Sequence, residues 1–147
     1  VGLAAAFDIS IARDDVLLGF TEVRVGVIPA IISVVCLPKM RRGDALEAFL
    51  LGRRFPATEA AELGLINRLA SRDRVLDEAV ALARTIASNA PLAVQASRAL
   101  AARAFSADEA MLWRDGFEMF QRNMQSEDAK EGPLAFIEKR APEWKGR

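Results

Sequence analysis

The chain has 147 residues, with twenty basic residues balancing twenty acidic ones, one cysteine and no histidine. The length suits one domain with a real core, the balanced charge offers no field to draw nucleic acid or an anionic membrane, and the single Cys36 excludes an internal disulfide and suits a reducing compartment. Without histidine there is no Ser-His-Asp or Cys-His pair and no H-E-x-x-H zinc site, which leaves acid–base chemistry to carboxylates, backbone dipoles or water.

Residues 3–7 are apolar and alanine-rich, and fit either a buried helix end or a buried strand. They open the sequence without Met or a polar leader, so an N-terminal part beyond Val1 is expected. No secretory leader is read, and every apolar run falls short of the ~20 residues that cross a bilayer. The expectation is a soluble, cytoplasmic protein without membrane insertion or a nucleic-acid partner.

Residues 8–12 alternate polar and apolar and predict a half-buried strand, residues 13–15 a charged turn, and residues 16–20 a second short strand. The stretch 19–29, Gly-Phe-Thr-Glu-Val-Arg-Val-Gly-Val-Ile-Pro, then sets one carboxylate among apolar neighbours. Gly19 permits a tight bend, Thr21 reads as the N-cap of a short helix with Glu22 in its first turn, and Pro29 ends that helix. Glu22 is the candidate catalytic residue. A glutamate in a first turn is also what the helix dipole favours, so residue types alone leave both readings open.

Residues 30–37 form an apolar segment, including Cys36 as a small core residue, whose composition does not separate helix from strand. Residues 39–43 are a basic connector, read as a solvated helix end or a phosphate contact. Asp44 is expected to cap a helix through about Leu51 that Gly52 closes. A short helix follows over 57–63, closed by Gly64, then an extended segment over 65–69. From the N-cap candidate Ser71 onward the sequence reads as helical, with a break at Asn89-Ala90-Pro91 and an alanine-rich helix over 92–105. Ser106 and Glu109 have capping-box spacing ahead of a long helix whose Trp113, Phe117, Phe120 and Met124 recur at helical spacing. Pro133 is placed at a helix first position. Two zones result: residues 1–70 mix strands with short helices, and residues 71–147 form a helical region whose aromatic face suits subunit packing.

These pieces, in this order and spacing, resemble the enoyl-CoA hydratase/isomerase (crotonase) family, C-terminal portion. The similarity rests on Asp8-Ile9-x-Ile11-Ala12, Gly19-Phe20-x-Glu22-Val23, Val25 to Pro29, Leu51-Gly52-Arg53-Arg54-Phe55, Gly64-Leu65-Ile66-Asn67-Arg68, and the ending through Phe136-x-Glu138-Lys139-Arg140 to Lys145-Gly146-Arg147. The resemblance implies an α/β fold: a partial crotonase-like β-β-α spiral over residues 1–70, then a helical trimerisation region over 71–147, with trimers often paired. It implies a 2-enoyl-CoA thioester as substrate, no separate cofactor, and a thioester oxygen held by two backbone N–H groups that fall before Val1. Glu22 matches one of the family's two acid–base glutamates, and Phe20 and Val23 are neighbours of the kind that disfavour a charged carboxylate.

The other family glutamate falls at Gly2, so two-carboxylate hydration is not spelled out by the sequence. A hydratase-type lyase using Glu22, a one-glutamate isomerase and a non-catalytic acyl-CoA-binding or assembly module all remain open. After Pro29, Ala30-Ile31-Ile32-Ser33 replaces a glycine-rich run, implying a reshaped acyl pocket with Pro29, Ala30 and Ile31 as substrate contacts. Phe136 and Lys139 match positions that reach the CoA of a neighbouring subunit.

Overall fold

In the computed structural model, which describes residues 1–104 and 108–147, the chain divides into two units, Val1–Ala81 and Leu82–Arg147. The first unit holds helix α1 (Gly2–Ala6), strands β1 (Ile11–Arg13) and β2 (Leu17–Gly19), a 3-10 turn (Glu22–Val25), α2 (Ala30–Cys36), a second 3-10 turn (Leu37–Lys39), α3 (Arg42–Leu51), β3 (Arg54–Pro56), α4 (Ala57–Glu62) and β4 (Arg68–Ala70). Helix α5 (Val75–Ala87) carries the chain into the second unit, which continues with α6 (Pro91–Arg103), α7 (Glu109–Met124) and α8 (Glu127–Glu138).

Two small sheets organise the first unit. Strand β1 runs parallel to β4, with Ala12 opposite Leu69, and β2 runs antiparallel to β3, with Leu18 opposite Phe55. The second pairing places Leu18 and Phe55 in the core with the fully buried Phe20, Cys36 and Leu65 and the alanines of α3 and α4. The Phe20 ring stacks on Phe49 at 4.2 Å between centroids and tilts against Phe55 at 6.1 Å. Burying such rings supplies a large share of apolar area to this core.

Several expectations are corrected by these contacts. Gly19 lies within β2 rather than at a bend: a Cβ there would sit 2.6 Å from the carbonyl oxygen of Arg53, the residue that leads into the paired strand β3. Asp44 is not a cap. Helix α3 begins two residues earlier, and Asp44 in its first turn pairs with Arg41 Nε at 2.5 Å. The extended segment expected from residue 65 is strand only over β4, because Leu65 and Ile66 N–H groups are taken by the Ala60 carbonyl at the end of α4. Ser71 is followed by a turn in which Arg74 N–H bonds to its carbonyl, and α5 starts after it.

In the second unit, the capping box expected from Ser106 lies outside the described residues. The described cap of α7 is Asp108, whose Oδ1 accepts from Met111 N–H at 2.9 Å. Pro133 stands inside α8, not at its start, because Ser126 supplies the cap: its Oγ accepts from Ala129 N–H at 3.1 Å. The C-terminal residues fold back within this unit. Asp128, buried, accepts the N–H groups of Lys145 and Gly146 at 2.6 and 3.0 Å, and Trp144 Nε1 donates to the Ser88 carbonyl at 2.7 Å. Among the described residues no helix is long and apolar enough to cross a membrane.

Candidate active site

Glu22 opens the 3-10 turn that follows β2, two residues beyond the ring that anchors the core. The backbone of this turn is well supplied with partners: Arg24 N–H donates to the Thr21 carbonyl at 3.1 Å and Val27 N–H to the Glu22 carbonyl at 3.1 Å, and Gly26 in the left-handed region closes it. Thr21 occupies the cap position but gives no side-chain hydrogen bond there. A second support comes from Gly52 at the end of α3. It sits at φ 61°, and a Cβ there would lie 2.7 Å from Val23 Cγ2 and 2.8 Å from Arg24 Cγ, so the helix end packs directly against the turn.

The side chain behaves differently from the backbone. Glu22 Oε2 is buried and has no hydrogen-bond partner among the described residues. An unsatisfied buried carboxylate oxygen costs free energy of about 1–3 kcal/mol or more, which a helix-start carboxylate bonded to backbone N–H groups would not incur. Cys36 is within the electrostatic reach of Glu22: burial pushes the Cys36 thiol up, and the Glu22 carboxylate acts in the same direction while Lys39 opposes.

Three of the expected substrate contacts, Pro29, Ala30 and Ile31, lie seven to nine residues beyond Glu22 in the sequence. Pro29 is half-buried at the N-cap position of α2, and Ala30 and Ile31 begin that helix. Ile31 is 88% exposed and joins Val25, Ile28 and Val34 as apolar side chains open to solvent. Phe136 and Lys139 belong to the second unit. Phe136, 85% exposed, lies in the last turn of α8. Lys139 follows at φ 55°, the one non-glycine residue in the left-handed region among those described. Arg140 supports this turn: its N–H donates to the Ala135 carbonyl at 3.1 Å, and its guanidinium grips Glu131 at 2.5 and 2.9 Å and Glu138 at 2.6 Å. That grip and the Glu143 N–H hold the Glu131 carboxyl down at about 2.

A cavity of about 430 Å³ opens in the second unit beside Lys130, Glu131, Leu134, Arg140, Glu143 and Lys145. Its lining carries both carboxylates and cations, and Glu131 and Arg140 engage each other across it. Among the described residues no cluster of three His, Cys, Asp or Glu side chains could hold a metal ion. Sequence reading had no signal for the buried state of Glu22 Oε2 or for the C-terminal clamp on Asp128, since both arise from contacts distant along the chain.

Comparison with known proteins shows the family and the fold. A family model described as enoyl-CoA hydratase/isomerase matches residues 1–147. A carnitinyl-CoA dehydratase of Proteus mirabilis is 42% identical over 151 residues, covering 99% of this chain and 58% of the relative. The crystal structure of an enoyl-CoA hydratase from Mycobacterium tuberculosis superposes with a TM-score of 0.89 at 35% identity, over 99% of this chain and 58% of that one. The enoyl-CoA hydratase from Bacillus anthracis gives 0.91 at 32% identity, over 99% and 57%. The chain thus spans little more than half the length of the relatives it matches, and its fold is the corresponding part of theirs.

Proposed function

The chain belongs to the enoyl-CoA hydratase/isomerase family, and from that membership we propose that the protein carrying it is a hydratase-type lyase adding water across the double bond of a 2-enoyl-CoA thioester. Glu22 is the acid–base group. It takes a proton from water as the water oxygen bonds to the β carbon, and returns that proton to the α carbon as the double bond is lost. One carboxylate suffices for that proton balance, provided backbone N–H groups hold the charge that develops on the thioester oxygen. The observation that carries this reading is the buried, unpartnered Glu22 Oε2.

The remaining parts of the proposal follow the same family reading. Pro29, Ala30 and Ile31 form a wall of the acyl pocket, and the apolar surface exposed around Ile31 suits an acyl chain. Lys139 meets a phosphate of CoA and Phe136 packs near its adenine. The exposed face of α7, with Trp113, Phe117, Phe120 and Met124, packs between subunits of a homotrimer or a dimer of trimers. The coenzyme A thioester is substrate, and no separate cofactor takes part.

The test is turnover of a panel of 2-enoyl-CoA thioesters by the full-length protein, crotonyl-CoA and branched homologues included, followed by loss of the conjugated thioester absorbance. Hydration of at least one member is expected, and inactivity against all of them would refute the proposal. A one-glutamate isomerase, in which Glu22 moves a proton from one carbon to another, is the second reading. Gly2 favours it, since the position offers no carboxylate, and a panel product with a shifted double bond and no added water would select it.

A further inference from the structure

Gly2 and Ile32 meet where α1 packs on α2. A Cβ built on Gly2 would lie 2.7 Å from Ile32 Cγ2 and 3.3 Å from Ile32 Cβ, with the Ile32 Cα at 3.9 Å. The obstruction is therefore the branched base of the isoleucine and not the far end of a flexible side chain. A β-branched residue within a helix has one strongly preferred χ1 rotamer, so it cannot swing aside cheaply. Ile32 is partly buried against the core that contains Ala5 of α1 and Cys36 of α2. Cys36 stands one helical turn beyond Ile32 on the same face, and position 2 is where the resemblance puts the family's other acid–base glutamate.

We propose that Gly2 and Ile32 are a matched pair: Ile32 fills the volume that any side chain at position 2 would need, which keeps a second carboxylate out of the site and makes Ile32 the residue that confines it to one-carboxylate chemistry. The change at position 2 and the change at position 32 are then a single change. Restoring an acid at position 2 gives a working second carboxylate only when Ile32 is cut back. The chemical half of this inference rests on Glu22 being the acid–base group. The packing half does not.

Two readouts on the full-length protein separate those halves. In the thermal arm, Gly2→Ala, Ile32→Ala and the double variant are compared. Alanine is the better helix former, so a gain would be the default for Gly2→Ala. The pair instead predicts a Tm loss of about 2–4 °C or more, most of it recovered when the same change is made in Ile32→Ala. Additive shifts would overturn the pairing. In the chemical arm, Gly2→Glu/Ile32→Ala is expected to hydrate crotonyl-CoA at least about tenfold faster than Ile32→Ala. Gly2→Glu alone is expected to show no gain, and adding Glu22→Gln to the double variant should abolish it. A single Gly2→Glu variant that matches the double, or a double variant no faster than Ile32→Ala, would overturn Ile32 as the determinant. If no version including wild type turns over any enoyl-CoA, the proposed function fails while the thermal cycle still decides the pair.

Discussion

The two units reach order by different means. In Val1–Ala81 the stabilising contacts are apolar and central: Phe20 and Phe55 are buried beneath short strands and alanine-faced helices, and the polar turn at Glu22 is laid over them. In Leu82–Arg147 the buried residues include Asp128 and Ser126, and the C-terminal residues are tied down by carboxylates that accept backbone N–H groups, while Trp113, Phe117 and Phe120 stay exposed. The contrast teaches where each unit tolerates change. One depends on shape in a core, and the other on charge-assisted hydrogen bonds that fix the end of the chain.

The largest expected effect lies in the apolar unit. Phe55→Ala removes a ring that is 1% exposed and packed on Phe20, and is expected to cost about 3–5 kcal/mol in denaturant unfolding of the full-length protein. A loss below about 1 kcal/mol would show that the ring is not part of a packed core. In the polar unit, Asp128→Ala leaves the Lys145 and Gly146 N–H groups without their acceptor, and a loss of about 1–3 kcal/mol is expected. Hydrogen exchange should localise it: faster exchange at Lys145 and Gly146 is expected, and unchanged exchange there would show that the carboxylate does not hold the tail.

The smallest effect sharpens the same contrast through pH. Glu131 titrates at about 2 in the folded protein against an ordinary value of 4.5, chiefly through its hydrogen bond from Arg140 and then that from Glu143 N–H. A depressed carboxyl contributes stability that is complete above about pH 4.5 and is lost as pH falls through about 2. Wild type is therefore expected to exceed Glu131→Gln in Tm at neutral pH, with the gap closing between those two values. A gap that stays constant across that range would dissociate Glu131 from the ion pair.

Most of the chain's elements were legible because their punctuation is local. Gly52 closes α3, Pro91 opens α6, and β2 falls inside the second expected strand, while β1 covers only the end of the alternating segment and runs on into Arg13, read as a turn. What failed was the choice among competing caps. Asp44 reads as a cap by type, but its pairing with Arg41 draws it into the first turn, and Pro133 is overridden by the stronger signal at Ser126 seven residues earlier. The resemblance singles out Glu22 as the candidate, yet neither its unpartnered oxygen nor the filling of the space over Gly2 by Ile32 could be read from the chain. Both depend on which segments meet, across thirty positions in the case of Gly2 and Ile32, and no local spacing encodes that.

The central claim of the proposed function is that Glu22, with its Oε2 buried, serves proton transfer and not a structural cap. Steady-state turnover of full-length Glu22→Gln, read beside its Tm, tests it most directly. Because Oε2 has no partner among the described residues, a neutral isostere gives up no stabilising bond there, so Tm is expected to be equal to wild type or higher while kcat falls by about two orders of magnitude or more. A lowered Tm with kcat within about threefold of wild type would make Glu22 a helix-start carboxylate and contradict the account.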